Sequence, residues 1–234
     1  MAKKHLFSLN APANWPIKRK EHIWVTRPNP GSHPLNRCLS LSLLIKEILG
    51  YAKTAREVRN ILNNGEILIN NKVIKEPKFS VGVFDIIKIK SKNETFLLLI
   101  NSKNKYETKK ISGKESNLKL CKVINKKTLK KGLIQVNLFD GRNIIVDKDS
   151  YKTGDTIILD LEKNKINSHL KLEKNSIVYL IGGKYIGNIG KVEDIVSKKG
   201  LQKSKILLKI DDKNIETLKE YAFVVDKSMM VQNE

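Results

Sequence analysis

Thr54-Ala55-Arg56-Glu57-Val58-Arg59-Asn60-Ile61-Leu62-Asn63-Asn64-Gly65 is the stretch whose reading decides the fold. Thr54 and Glu57 form a capping box. The Thr54 hydroxyl is placed to accept from the Glu57 amide, and the Glu57 carboxylate to reach back to the Thr54 amide. Gly65 supplies the left-handed stop. Between them Val58, Ile61 and Leu62 share one helical face, while Arg56, Arg59, Asn60 and Asn63 share another at spacings of three and four. A short helix with an apolar back and an Arg/Asn front suits a phosphate backbone, because guanidinium forks match phosphate oxygens. An ordinary solvated face is the competing reading for such a helix taken alone.

Upstream, Leu41, Leu44, Ile45, Ile48 and Leu49 recur at i, i+3, i+4, i+7 and i+8. They predict an amphipathic helix closed by Gly50. Downstream, Ile67 and Ile69 alternate into Asn70-Asn71, a turn that tolerates positive φ, and Lys72-Val73-Ile74 starts the return strand. Pro77 breaks it, and Val81 to Asp85 turns into a strand over Ile86 to Lys90. Residues 41–90 thus read as a module of two helices plus a β-hairpin. It places Lys53, Arg56, Arg59 and Lys72 around one concave surface, a layout suited to gripping structured RNA by shape and backbone.

The composition favours the same partner. Lys+Arg number 45 against 24 Asp+Glu, a formal charge of +21 spread along 234 residues. Self-repulsion of that size is relieved by a polyanion, nucleic acid before an anionic membrane. No stretch approaches a membrane span, and Met1 to Leu6 does not open a signal peptide. Cys38 and Cys121 form no CxxC pair, which argues against a zinc site or a disulfide framework and fits a reducing cytoplasm. No metal, cofactor or small-molecule substrate is implied.

Residues 1–40 read as a basic extended segment, with seven Lys/Arg, the single acid Glu21 and five of the six prolines. Such a segment cannot bury itself, so it is expected to be mobile in the free protein and to order on RNA. Trp15 and Trp24 favour packing on the protein over stacking with unpaired bases. Lys18, Arg19, Lys20, Arg27 and Arg37 favour phosphate. His5, His22 and His33 have no ligand spacing and point to hydrogen bonding or nucleic-acid contact.

From residue 91 strands prevail. Phe96 to Ile100, Leu118 to Val123, Leu133 to Phe139, Asn143 to Val146 and Thr156 to Leu161 suggest a small central β domain over 91–170, with Asp140-Gly141 supplying a type I′ turn. Residues 171–234 add strands at 176–181, 205–210 and 221–225, with 226–234 expected to fray. Gly182, Gly183, Gly187 and Gly190 invite a nucleotide-binding reading. A phosphate loop, however, needs Lys-Ser/Thr after its last glycine, opening a helix. Here Lys191-Val192 follows and the flanks are strands, so the glycines serve bends and close backbone approach in a small barrel.

Four blocks in this order resemble the S4e family of small-subunit ribosomal proteins. They are His5-Leu6 through Ala11-Pro12, Trp15, Lys18-Arg19-Lys20, Trp24 and Arg27-Pro28 to Pro30-Gly31-Ser32-His33; Tyr51-Ala52-Lys53 through Arg56-Glu57-Val58 to Asn71-Lys72-Val73; Val81 to Ile87; and Gly182-Gly183-Lys184 through Gly190. The second resembles the alpha-L RNA-binding module and the fourth a KOW motif. Gly31-Ser32-His33-Pro34 departs from the family's Gly-Pro-His, Leu39 to Leu43 lacks its proline, and Asn71-Lys72 replaces its commoner Gly-Lys. The length is nearer the archaeal form.

The resemblance implies an α+β multidomain chain: basic extension, alpha-L module, central β domain and C-terminal KOW-type SH3-like barrel. It also implies a structural, non-enzymatic role in the small ribosomal subunit in the cytoplasm. Its partners would be small-subunit ribosomal RNA and neighbouring ribosomal proteins, not a membrane. The expected contact residues are Lys18, Arg19, Lys20, Arg27, Arg37, Lys53, Thr54, Arg56, Arg59, Asn60, Asn63 and Lys72. The alternative is an RNA-modifying enzyme, such as a pseudouridine synthase, carrying an alpha-L module. It finds no nucleophile–base pairing here beyond isolated carboxylates and His169. A KOW-type elongation factor leaves 41–90 unexplained.

Overall fold

The computed structural model describes residues 5–147, 149–196, 202–210 and 213–226. The chain divides into two compact units, Met1–Lys119 and Leu120–Glu234. Among the described residues α- and π-helix is confined to 41–63, short 3-10 turns occur elsewhere, and the remaining regular structure is mostly sheet. No helix among the described residues is long and apolar enough to cross a membrane.

The first unit is built on the 41–90 stretch. Its first helix opens with an α-turn over Leu41–Leu43 and widens into a π-helical turn over Leu44–Ile48, where the Leu49 amide donates to the Leu44 carbonyl at 2.9 Å. Leu41, Leu43, Leu44 and Ile45 are buried, and Gly50 ends the segment at φ +68°. The second helix spans Ala55–Asn63 and buries Val58 and Leu62. The hairpin Ile67–Ile69 to Lys72–Val73 forms as expected, with Asn70 and Asn71 both left-handed at φ +50° and +64°.

The unit does not stop at residue 90. Its five-stranded sheet runs in the order Lys72–Val73, Ile67–Ile69, Ile86–Ile89, Glu94–Ile100, Tyr106–Ile111, every pair antiparallel. The compact unit runs past the expected module end at 90, to Lys119. The physical reason is pairing: Ile86–Ile89 is an inner strand whose second edge is filled by Glu94–Ile100, and the turn between them, closed at Asn93 (φ +52°), is too short to be a linker. The first helix packs against Tyr106–Ile111.

Residues 5–40 belong to the same unit. They are docked on it. Trp15 is wholly buried, with its indole N–H donating 2.7 Å to the Cys38 carbonyl. Leu6–Phe7 pairs with Trp24–Val25, and Cys38–Ser40 pairs with Ser80–Gly82. The Lys105 ammonium donates to the carbonyls of Ala13 (2.7 Å) and Trp15 (3.1 Å). Proline at this density forbids a long helix over this segment, but main-chain carbonyls left without strand partners can still be satisfied by cationic side chains.

In the second unit one sheet runs Asn143–Val146, Ile134–Leu138, Leu118–Thr128, Thr156–Asp160, Lys165–Leu170. It buries Cys121, Val123, Val136, Leu138, Ile157 and Leu159 together. The turn at Asp140-Gly141 is a correction. Only Gly141 has positive φ (+78°), the Leu138 amide donates to the Arg142 carbonyl, and Phe139 to Gly141 make a three-residue loop instead of a type I′ pair. The other sheet runs Lys213–Leu218, Lys205–Ile210, Ile189–Val196, Ile177–Leu180, Ala222–Val224, antiparallel throughout. Its core is Val178, Leu180, Val192, Ile206, Leu208 and Val224.

The glycine-rich segment does what close approach requires. A Cβ on Gly182 would stand 2.7 Å from the Tyr221 ring, one on Gly190 2.7 Å from the Ile210 side chain, and Gly183 and Gly187 have positive φ. The buried Lys122 ammonium donates to the carbonyls of Lys219, Glu220 and Ala222 at 2.6–3.0 Å and fixes the turn that leads into the last strand. The fraying expected for 226–234 falls, from 227 on, outside the described residues.

Candidate nucleic-acid interface

The second helix carries the densest group of expected contact residues. The Thr54 hydroxyl accepts from the Glu57 amide at 3.2 Å, and the Glu57 carboxylate accepts from the Lys53 amide at 2.8 Å and the Thr54 hydroxyl at 2.9 Å. The return bond thus lands one residue earlier than the simplest capping box predicts. These donors, the Lys53 amide foremost, hold the Glu57 carboxyl below its ordinary range. Glu57 is thereby committed to the cap, and its charge lies at the positive helix end.

With the apolar back fixed by Val58 and Leu62, the residues Lys53, Thr54, Arg56, Arg59, Asn60 and Asn63 are all exposed. The structure brings these six onto one short helix and its cap. Lys72 is exposed on the hairpin's edge strand. The neighbouring Val73 reaches to 3.4 Å from the place a Cβ would take on Gly65, so the hairpin returns against the helix's C-terminal end.

The extension's residues are placed differently. Lys18 bridges Glu21 at 2.7 Å, which raises its pKa, and lines a small cleft with Ala55 and Lys46. Lys20 is exposed. Arg19 turns inward: its guanidinium donates to the carbonyls of Ser8, Leu9, Ala11 and Pro12 at 2.8–3.2 Å, while the Ser8 hydroxyl donates to the Arg19 carbonyl at 2.7 Å. Arg27 lies on an open groove of about 810 Å³ whose walls include Ser32, His33, Glu76 and Lys78. Arg37 closes a 3-10 turn, Leu35–Arg37, and is half-buried.

Beneath this surface is a buried polar hub that sequence reasoning did not single out. Asp85, almost fully buried, accepts from the Lys119 ammonium (2.6 Å), the Gly82 amide (2.8 Å) and the Asn70 side-chain amide (2.9 Å), and pairs with His33 Nε2 at 3.2 Å. Burial alone would raise the Asp85 pKa. Lys119, His33 and the Gly82 N–H outweigh it and hold the carboxyl well below its usual range. One carboxylate therefore ties the extension, the hairpin turn, the Ser80–Gly82 strand and the end of the unit together. His33 lies so close over Gly82 that a Cβ there would meet the ring at 2.5 Å. The Val81 to Asp85 motif was legible in the sequence; what the Asp85 carboxylate binds was not, because its side-chain partners lie 15 to 52 residues away.

In the second unit His169 Nε2 meets Asp155 at 2.8 Å, and Asp155 also accepts from the Lys152 and Leu172 amides. The pair closes a turn. Among the described residues no group of three or more His, Cys, Asp or Glu side chains is arranged to hold a metal.

The site thus joins a helix-capped basic face, a left-handed Asn-Asn hairpin and a sheet behind them. Residues 47–87 match the model of the S4 domain, residues 2–36 that of the RS4NT (NUC023) domain, and residues 92–166 that of Ribosomal family S4e. Small ribosomal subunit protein eS4 of Methanosphaera stadtmanae is 37% identical over 230 residues, covering 98% of this chain and 95% of that protein. The protein of the same name from Methanocaldococcus jannaschii is 36% identical, covering 95% and 94%. The crystal structure of 30S ribosomal protein S4e from Thermoplasma acidophilum superposes with a TM-score of 0.71 at 26% identity, covering 82% of this chain and 97% of that one. The chain belongs to ribosomal family S4e.

Proposed function

We propose that the protein is a structural, non-enzymatic constituent of the small ribosomal subunit, working in the cytoplasm, that binds small-subunit ribosomal RNA through basic surfaces and holds RNA and neighbouring ribosomal proteins in place. The observation that carries this is the exposed Lys53, Arg56, Arg59, Asn60 and Asn63 face, whose acid, Glu57, is consumed by the cap. Arg56 and Arg59 fork onto phosphate, Asn60 and Asn63 reach sugars or base edges, and Lys53 and Lys72 neutralise charge alongside. Thr54 sets the helix start that aims them. Lys18, Lys20, Arg27 and Arg37 extend the contact, while Arg19 shapes the segment that bears them. The described residues between 171 and 226 make up a KOW-type SH3-like barrel. Its support is the five-stranded antiparallel order and the glycine connection between Ile177–Leu180 and Ile189–Val196.

The test is Arg56→Ala with Arg59→Ala in the full chain. Two exposed charge-assisted contacts at about 0.7 kcal/mol each predict roughly tenfold weaker binding to a small-subunit ribosomal RNA transcript, with the melting temperature unchanged. Unchanged affinity in a folded double variant would refute the reading of this face.

A further inference from the structure

The chain is poor in aromatic residues, at 6%, and most of them are buried or half-buried. Among the described residues two aromatics of the Phe, Trp and Tyr type are exposed, Phe7 at 48% and Trp24 at 53%, and they are neighbours. Their rings stack with centroids 4.3 Å apart and planes 25° from parallel. His5 leans on the same indole at 5.2 Å. They sit opposite one another on the paired strands Leu6–Phe7 and Trp24–Val25. Two large rings in contact and half open to solvent are costly unless something covers them.

The stack is held rigidly. The Ser8 amide donates to the Ile23 carbonyl at 2.9 Å, and the Arg19 guanidinium grips four carbonyls of residues 8, 9, 11 and 12. A charge that could have met solvent is spent on fixing this hairpin. The segment joining the two strands is basic: Lys20 and His22 are exposed on it, and its single acid, Glu21, is taken by Lys18.

We propose that the Phe7–Trp24 stack is a platform for an unpaired nucleobase of the RNA, extending the two-ring stack by a third ring while Lys20 meets the flanking phosphate. This rests on the ribosomal RNA reading and adds a contact different in kind: stacking in place of charge. Planar apolar faces on a hairpin whose connecting segment carries an exposed lysine fit a base with its phosphate better than an aliphatic protein surface, which has no use for the cation.

The chain's two tryptophans make the test direct, because Trp15 is buried and serves as the constant background while Trp24 reports the platform. The full-length protein is titrated with a small-subunit ribosomal RNA transcript and with oligoadenylate, following tryptophan emission. Both should quench Trp24. Trp24→Leu should abolish quenching and weaken transcript binding by about tenfold, the scale of one base–aromatic stack. Trp24→Phe should keep most of the affinity, which separates stacking from collapse of the hairpin. Wild-type binding without quenching, or transcript affinity unchanged in a folded Trp24→Leu protein, overturns the platform. So does a loss seen with assembled subunits but not with bare RNA, which assigns the patch to a protein neighbour. If the unchanged protein binds no transcript, the ribosomal RNA reading itself falls and takes the platform with it.

Discussion

Asp85 shows how single residues in this protein are held by charge. It is buried with Lys119, and the pair has its remaining positions filled by Gly82, Asn70 and His33. Asp85→Asn would leave the Lys119 ammonium buried without its counter-charge, at a cost of about 3–5 kcal/mol. The pH dependence has a definite sign. The folded-state pKa is depressed below the ordinary value near 4, so the folded state holds the proton less tightly than the unfolded chain. The carboxylate's contribution is complete above the unfolded-state value and is lost as pH falls below it. Chemical denaturation from pH 7 to pH 3 should show the gap between wild type and Asp85→Asn narrowing as the solution is acidified. A gap independent of pH would mean that the charge of Asp85 contributes nothing.

The same scale explains what was hidden from the sequence. Arg19, Lys105, Lys119 and Lys122 are spelled like surface cations, yet Arg19, Lys105 and Lys122 bind main-chain carbonyls and Lys119 binds Asp85. Nothing local marks them, since each partner is set by the tertiary fold. Trp15 and Trp24 illustrate the converse: identical side chains nine residues apart, one sealed inside and one half open.

At the scale of elements, periodicity and turn chemistry were reliable where one face is buried. The Ala55–Asn63 helix, its Thr54 cap and the Asn70-Asn71 turn could all be read directly. Thr54→Ala should cost about 1 kcal/mol, seen as a lower denaturation midpoint with unchanged slope. It should also loosen Lys53, whose amide is bound to the same Glu57. A stability equal to wild type would show that Lys53–Glu57 suffices as the cap.

Among the strands of six residues, three escaped notice, Tyr106–Ile111, Lys165–Leu170 and Lys213–Leu218, each an edge of its sheet. Edge strands carry charge and meet water on one side, so their apolar alternation is broken. Tyr106–Ile111 is also the strand with which the compact unit runs on past residue 90. The inner strand Glu94–Ile100 was visible, but the neighbour that ties the sheet to the first helix was not. The π-turn at Leu44–Ile48 was unreadable for another reason. Leu41, Leu44, Ile45 and Ile48 satisfy a 3.6 period over eight residues whether the turn is α or wider.

For the whole molecule the charge is less even than the linear chain suggests. The first unit holds 23 Lys/Arg against nine Asp/Glu, the second 22 against 15. In the second unit several cations are answered by acids at short range: Lys174 by Asp194, Lys203 by Glu220 and Lys205 by Glu216, at 2.8–3.0 Å. A cation already paired displaces no counterion when it meets RNA, and the acid beside it repels phosphate. The electrolyte dependence of binding should therefore be set mainly by the first unit.

Each phosphate neutralised contributes roughly −0.7 to −0.9 to the slope of log K against log salt. Arg56→Ala with Arg59→Ala should flatten the slope for a small-subunit ribosomal RNA transcript by about 1.5, while Lys203→Ala with Lys205→Ala should leave it nearly unchanged although it removes the same formal charge. Filter binding of the full-length variants between 50 and 300 mM KCl, a span of roughly one Debye-length regime, distinguishes the two. Equal flattening by both pairs would mean that RNA responds to the summed charge of the chain and not to the unpaired face that the Thr54–Glu57 cap presents.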